Sequence, residues 1–455
     1  MTSQPDGPLV AWYGDDFTGA AAVLEVLTFA GLRAMLFLEP PSDAQLDRYP
    51  GLKGIGVAST ARAHSPEWMD AELPSIFARL AALKPALTHY KVCSTLDSSP
   101  TTGSIGRAIE IGAAQFSPAA VPILIAAPQM RRYQSFGHLF AGFGEAVYRL
   151  DRHPVMSEHP VTPMTESDVA EHICLQSSVL DAQCLSLEET SKGTALPIEP
   201  SVSDRITIAT LDCLDDASEL AAGRLIWAGR SANPFVVGSQ GVEYALVRHW
   251  RDMGLIADAS ATESCGPVDK MVVVSGSVSP ISADQIAWGT QNGFASITFN
   301  ASCVCTEEAD LEREIGRCVE ACFEAMDQGM DPLVNSAEGP NDPSVGRFRQ
   351  AVDRSARSME EANQRVGEAL GCILERTLER TGVRRAVVSG GDTSGHATRQ
   401  LGIFALSALA PTIPGAALFQ AHADGAMDGL ELALKGGQMG SHDYFGWIRN
   451  GGGTR

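Results

Sequence analysis

The stretch Ser389-Gly390-Gly391-Asp392-Thr393-Ser394-Gly395 carries the most chemistry for its length. A run of buried-strand character, Arg384 to Val388, feeds into it, and a helix begins near Ser394. Glycines let backbone N–H groups approach an anion closely, and Thr393 and Ser394 add hydroxyl donors. The helix start turns the positive end of its dipole to the same point. This is how a nucleotide or sugar phosphate is held without a cage of lysines. A second turn, Ser275-Gly276-Ser277-Val278-Ser279-Pro280, follows another apolar run and has proline in the first helical turn, which makes another anion-accepting helix start. Alone it is weak, because strand-to-helix loops are often small for packing reasons. Paired with Gly390 to Gly395, and with the glycine-rich turn Lys435-Gly436-Gly437-Gln438-Met439-Gly440 as a third piece, it favours a nucleotide site.

The other half of the chain supplies carboxylates and cations. Gly14-Asp15-Asp16-Phe17-Thr18-Gly19 falls where the opening strand ends and the first helix begins. Two carboxylates at a strand's carboxyl end can bind substrate hydroxyls, hold a metal or accept a proton. The plain alternative is a helix cap by Asp16, but a cap needs only one carboxylate. Lys91, one of six lysines in the chain, ends the next such strand inside His89-Tyr90-Lys91-Val92-Cys93-Ser94-Thr95-Leu96-Asp97-Ser98-Ser99. It reads either as an anion anchor or as a solvated strand-end lysine. Arg62, after Ala58-Ser59-Thr60, and Arg131-Arg132, after the strand ending at Ala127, occupy similar positions. A cation at each of three strand ends would build a carboxylate pocket.

The elements that must position these residues alternate along the chain. Leu9 to Tyr13, Arg33 to Leu38, Gly54 to Ala58, Thr88 to Cys93 and Val121 to Ala127 read as strands, with helices over Gly19 to Ala30, Pro66 to Leu83 and Gly103 to Phe116. Arg205 to Leu211, a helix from Asp216 to Ala228, and Pro234 to Gly238 extend the series. A second set follows: strand Met271 to Val274, helix Pro280 to Asn292, strand Ala295 to Phe299, helix Glu307 to Met326, strand Pro332 to Val334, helix Ser355 to Thr381 and strand Ala386 to Val388. Such alternation implies crossover units on mainly parallel sheets. The predicted fold is α/β with two domains, 1–250 and 270–455, joined by a linker at 251–269 rich in Ala, Ser, Thr, Gly and Pro, with a cleft between them. The charged helix from Ser355 to Arg380 reads as a solvated face without function.

Composition bounds the function. A formal charge of −21 argues against nucleic acid and anionic membranes, which need a basic face. No apolar run reaches the roughly 18 residues of a membrane span. The start, Met1 to Gly7, lacks the regions of a signal peptide, which predicts a cytoplasmic protein. Ten cysteines without a C-x-x-C pair or suitably spaced histidines read as reduced thiols. G-x-x-x-x-G-K-[ST], G-x-G-x-x-G after a strand, H-E-x-x-H and G-x-S-x-G are all missing. Walker NTPases, Rossmann dehydrogenases, zinc proteases and nucleophile-elbow hydrolases are therefore disfavoured.

Taken together, Gly14 to Ala20, Tyr90-Lys91 with the Ser94-Thr95-Leu96 turn, Ser275 to Ser279, Gly390 to Gly395 and Ala433 to Gly440 resemble, in order and across nearly the whole chain, the four-carbon acid sugar kinase family. The resemblance implies an N-terminal acid-sugar domain and a C-terminal ATP domain. The implied reaction is ATP- and Mg²⁺-dependent phosphorylation of a terminal hydroxyl on threonate, erythronate or a 3-oxo-tetronate. It implies ATP contacts at Ser275, Ser277, Ser279, Gly390, Gly391, Asp392, Thr393, Ser394 and Gly437. Asp15, Asp16, Arg62, Lys91 and Arg132 would face the sugar acid, with Asp16 or Asp15 as catalytic carboxylate. Small-molecule partners are implied, and a homo-oligomer stays open. Family members continue the lysine segment as Lys-Lys-Ile-Asp-Ser-Thr-Leu-Arg-Gly; here an acid is replaced by Cys93 and Arg-Gly by Asp97-Ser98. Asp392 stands where Glu is common. The first departure points to a branched acid such as 3-oxo-isoapionate. Two other readings remain: a sugar-acid or nucleotide-binding regulator that lost its chemistry, and an aldolase or isomerase using the same fold.

Overall fold

Runs of consecutive buried apolar residues, the mark of parallel strands covered on both faces, frame both halves. The computed structural model describes residues 7–193, 196, 205–258 and 264–455. The chain divides into two compact units, Met1–Ser260 and Ala261–Arg455.

The first unit contains β1 (Val10–Gly14), β2 (Ala34–Phe37), β3 (Gly54–Val57), β4 (Leu87–Lys91), β5 (Val121–Leu124), β6 (Arg132–Ser135), β7 (His138–Phe143), β8 (Ala146–Arg149), β9 (Leu180–Leu185), β10 (Ile206–Leu211) and β11 (Phe235–Gly238). Its main sheet is all parallel, in the order β2-β3-β1-β4-β11-β5-β10-β9. β2 and β3 lie to one side of β1 and β4 to the other, so the carboxyl end of β1 is a topological switch point, the place where such sheets bind ligands. The strand can turn there into helix Phe17–Phe29 because Gly14 has no side chain: a Cβ would stand 2.5 Å from that of Ala20. Asp16 caps the helix, accepting from Gly19 N at 3.0 Å, and the buried Trp12 indole donates to Ala20 O at 3.1 Å. Beneath this end, Tyr13, Phe77, Tyr90 and Phe235 form an aromatic cluster in edge and stacked pairs, fixing β1 and β4 against helix Pro66–Ala82.

The second unit contains β12 (Val272–Ser275), β13 (Phe294–Thr298), β14 (Asp331–Asn335), β15 (Arg385–Ser389), β16 (Ile403–Ala410), β17 (Leu418–Ala423) and β18 (Glu431–Lys435). Their order is β13-β14-β12-β15-β18-β17-β16, parallel from β13 through β18 and antiparallel at β17 and β16. β12 and β15 flank this sheet's switch point. Helices Pro280–Gln291 and Tyr444–Arg449 cover one face, around Val273, Leu333, Val387 and Ala433.

The α/β reading on two mainly parallel sheets stands. Four features depart from the expected alternation: the separate antiparallel sheet β6-β7-β8, the edge strand β9, the antiparallel pair β16–β17, and helix Pro343–Arg354. Helix Gly241–Asp252 runs into the expected linker 251–269, whose residues 259–263 lie outside the described set.

Candidate functional site

In the second unit, four adjacent strands end together, and the turns leaving them enclose a cavity of about 500 Å³. One side is backbone and hydroxyl: Gly276, Ser277, Gly390, Gly391, Thr393 and Gly437. Gly390 has φ 129, a conformation side chains rarely adopt, and this sends the chain from β15 straight into helix Gly391–Gln400. The first N–H groups of that helix have no partner within it, and they open towards the cavity's glycine side. The glycines are also needed for close approach: a Cβ at Gly276 would overlap Thr393 Oγ1, and one at Gly437 would overlap Ser277 Oγ. The rest of the lining is mainly apolar, with Val278, Val345, Phe348, Met359 and Val366, and carries Arg349 and Asn363 beside them. Among the described residues of this unit, the two large apolar side chains left exposed are Val278 at 42 % and Met359 at 41 %. Both line this cavity, so the wall awaits a flat apolar partner. An anion cradle beside a mainly apolar wall can hold phosphates at one end and a heterocyclic base at the other.

The expected ATP contacts separate by role. Ser277, Gly390, Gly391, Thr393 and Gly437 line the cavity. Ser279 caps helix Pro280–Gln291 through Ser282 N at 3.0 Å and donates to Gly437 O at 2.5 Å; it braces two turns against each other. The Ser394 hydroxyl is spent on Gly390 O at 2.7 Å. Ser275 is fully buried beneath Gly276, and its Oγ has no partner. The Asp392 side chain lies outside the described set. Helix Met359–Thr381, read as functionless, instead contributes Met359, Asn363 and Val366 to the wall. The signal was their i, i+4, i+7 spacing, which continues the buried stripe Val366, Leu370, Ile373 out over the cavity.

Gly390→Ala is expected to weaken ATP binding by about tenfold or more. The new Cβ would sit 2.8 Å from Thr393 Oγ1 at a forbidden φ, a cost of about 1–3 kcal/mol. Calorimetric titration with ATP and a thermal melt read the two effects.

In the first unit, Asp15, Asp16, Arg62 and Lys91 come together at the β1 switch point. Arg62 Nε and Nη2 grip Asp15 at 3.1 and 2.6 Å, and the same Nη2 reaches Asp16 Oδ1 at 2.6 Å. Arg62 N donates to Asp15 O at 2.9 Å, so backbone and side chain lock the loops after β1 and β3. Burial pushes the Asp15 carboxyl up from its ordinary value, the Arg62 guanidinium pulls it down, and Asp16 pushes it up again; the net direction is upward. The Asp pair, opposed by burial, holds Arg62 well above its usual value. Lys91, 2 % exposed, donates to Val92 O at 2.7 Å, and a Cβ on Gly19 would come within 2.6 Å of its Nζ. The lysine therefore looks onto the start of helix Phe17–Phe29 beside Asp16, rather than into solvent.

Arg132 is tied to the site by proximity: Cys93 neighbours both Arg62 and Arg132, and Arg132 neighbours His153. Burial lowers His153 first, the neighbouring guanidinium second. Arg132 Nη1 donates to Met130 O at 3.1 Å and His153 Nδ1 accepts from Val155 N at 3.2 Å, while Arg132 Nε has no partner among the described residues. His153 was not legible in sequence, because segment 150–168 has no periodic pattern. Arg131 turns away, donating to Ala146 O at 2.9 Å. The unusual segment after Cys93 is held at Cys93, Asp97 and Ser98. Cys93 Sγ lies 3.1 Å from Thr95 Oγ1. Asp97 accepts from Thr162, and Ser98 Oγ meets Leu96 O, His172 Nε2 and Gln176 Nε2 at 2.9, 2.9 and 3.0 Å. Leu96 holds φ 53, and local strain of this kind gathers at functional turns.

One unit thus gathers two carboxylates and two cations at a switch point, and the other encloses a cavity lined by glycine turns and apolar side chains. Family models cover each unit: a sugar-binding N-terminal domain matches residues 10–246 and a nucleotide-binding C-terminal domain residues 272–445. The chain belongs to the four-carbon acid sugar kinase family. It is 40 % identical to a 3-oxo-isoapionate kinase of Paraburkholderia graminis over 99 % of this chain and 96 % of that one. It is 27 % identical to a 3-oxo-tetronate kinase of Pseudomonas savastanoi pv. phaseolicola over 96 % of each. Solved structures from Salmonella typhimurium (TM-score 0.75, 21 % identity, 97 % of this chain and 98 % of that chain) and Haemophilus influenzae (TM-score 0.72, 19 %, 96 % and 99 %) share the fold. No described helix is long and apolar enough to cross a membrane.

Proposed function

We propose that this protein transfers the γ-phosphoryl group of ATP to a terminal hydroxyl of a short sugar acid, with a branched 3-oxo acid of the 3-oxo-isoapionate type as preferred substrate. One observation carries the nucleotide half: the anion cradle and the exposed apolar wall occupy one cavity of nucleotide size. Phosphoryl transfer asks mainly for alignment and charge neutralisation. Gly390, Gly391, Thr393 and Ser277 would hold the phosphates, and Mg²⁺ would supply further neutralisation. No group of three or more His, Cys, Asp or Glu side chains suited to a metal occurs among the described residues. The triphosphate oxygens are the ion's natural carriers. Arg62, Lys91 and Arg132 would grip the substrate carboxylate and oxo group, and Asp16 would orient the attacking hydroxyl. The preference for a branched acid rests on the 3-oxo-isoapionate kinase at 40 % identity and on the bonded Cys93–Ser98 turn. As an ATP consumer, the protein is placed in the cytoplasm.

The test is ADP release by the purified chain with Mg·ATP and, in turn, 3-oxo-isoapionate, 3-oxo-tetronate, threonate and erythronate. We expect release dependent on acid and fastest with the branched one. Binding of ATP and acid without ADP release would make the protein a sensor instead.

A further inference from the structure

Two of the six lysines are buried at 2 % exposure, Lys91 and Lys435, and each is the last residue of its strand. Lys91 belongs to the acid pocket; Lys435 has no role so far. It ends a row that crosses four parallel strands. In register, Asn335 of β14 pairs with Ser275 of β12, Ser275 with Ser389 of β15, and Ser389 with Lys435 of β18. Partners across parallel strands point to one face, so the four side chains stand side by side. Each is the carboxyl-terminal residue of its strand, and the other three are 0 % exposed. Among the described residues, Asn335 Oδ1, Ser275 Oγ and Ser389 Oγ lack any hydrogen-bond partner, and Lys435 Nζ has one, Gly436 O at 3.2 Å. Orphaned buried polar atoms cost stability unless something fills them. Ser336, Gly276 and Gly390, each next after a row residue, and Gly437, two after Lys435, line the nucleotide cavity.

We propose that this row is the floor of the phosphate site and that Lys435 is its cation. On nucleotide binding, Nζ would turn from the Gly436 carbonyl to a terminal phosphate oxygen, and the two orphaned serine hydroxyls would complete the contact. The proposal rests on the nucleotide reading above. Burial lowers Lys435 to about 8, and no described charge acts on it. Helix Pro280–Gln291 presents neutral Ser282 and Gln285 inward, and its Asp284 is exposed. Helix Tyr444–Arg449 turns Tyr444, Phe445 and Ile448 inward. The Arg385–Glu431 ion pair begins the same two strands, about 13 Å away by strand rise. On the antiparallel neighbour β17, His422 lies beyond Gln420, the partner of Glu431, and so at that same far end. In helix Gly391–Gln400, His396 packs on Gly367, Arg399 is exposed in the last turn, and Asp392 is the group without a described side chain. An amine half-protonated near pH 8 becomes fully charged against a phosphate, so binding must draw in a proton.

The experiment is calorimetric titration of the full chain with Mg·ATP at pH 8 in two buffers of different ionisation enthalpy. The wild type is expected to take up roughly half a proton. Lys435→Met should take up none and bind about tenfold or more weakly, the loss typical of a charged hydrogen bond. Lys435→Arg should keep most of the affinity without the uptake. Ser389→Ala removes a hydroxyl with no protein partner, so it should leave the melting temperature unchanged or raised while ATP affinity falls, which keeps the test decisive if the Met variant does not fold. Wild-type ATP binding with uptake and affinity unaltered in Lys435→Arg and Ser389→Ala would overturn this proposal and leave the kinase reading intact. No ATP binding by the wild type would remove both.

Discussion

Asp16→Asn is expected to lower kcat by about a hundredfold or more while the dissociation constant for ATP stays within about twofold. The structure separates the two neighbouring carboxylates by what each is already doing. Asp15 is 2 % exposed, and both its oxygens are taken by Arg62. Asp16 has a quarter of its side chain exposed. Among the described residues only its Oδ1 is engaged, by Gly19 N and Arg62. Its second oxygen is therefore open to an incoming hydroxyl, which it could orient or deprotonate. Asparagine keeps an oxygen for the helix cap, so stability should change by less than about 1 kcal/mol, and the nucleotide cavity lies in the other unit. Steady-state kinetics with the preferred acid, alongside ATP titration, separates these quantities. Unchanged turnover, or equal loss of turnover and ATP affinity, would remove Asp16 from the chemistry.

Arg62→Leu is expected to destabilise the protein by about 3–5 kcal/mol at neutral pH, because it strands the buried Asp15 carboxylate without its partner. The effect has a direction in pH. An unpaired, buried Asp15 would have a folded pKa above its unfolded value, so the folded state would bind the extra proton. Stability then falls as pH rises above the unfolded carboxylate value near 4 and recovers towards acid. Urea unfolding at pH 5 and pH 8 should show the larger deficit at pH 8. Adding Asp15→Asn should return most of the loss, a coupling that a merely misfolded variant would not show. Equal deficits at both pH values, with no rescue, would mean that Arg62 stabilises by packing alone.

The parallel framework was legible because it is written in local code: four- to six-residue apolar runs, each followed by a turn and an amphipathic helix, as in Gly54–Val57 before Pro66–Ala82. The turns after β1, β12 and β15 were legible for the same reason, since strand ends and switch points select glycines, hydroxyls and acids. The three-stranded sheet was not. Arg132–Ser135 is polar and Ala146–Arg149 is short and poorly buried, and the turn between β6 and β7 is held by Asp212, a buried carboxylate far along the chain. It accepts from Phe136 N and Gly137 N at 2.5 and 3.0 Å. The polar row across β14, β12, β15 and β18 was equally hidden, because its members are distant in sequence and only register makes them neighbours. Within the nucleotide cavity, the glycine side could be read from motifs. The apolar wall could not, because Met359 and Val366 sit on a helix whose composition is that of a solvated surface.

Arg132 stands at the first residue of β6, on the outermost limb of the acid pocket, while Arg62 and Lys91 are bolted to the central sheet. The limb is fixed by the Asp212 clamp, by the backbone exchange between Gln134 and Cys213 at 2.9 and 3.0 Å, and by Leu139, Ala141 and Leu150, buried in one cluster with Tyr90, Ile123 and Ile125 of the first unit. The partly buried Arg132 side chain can be shortened or traded while Leu139, Ala141 and Leu150 keep the limb packed on the parallel strands. A designer seeking to fit a bulkier acid would therefore vary single side chains on the polar side of this limb, beginning with Arg132, and leave its buried residues untouched.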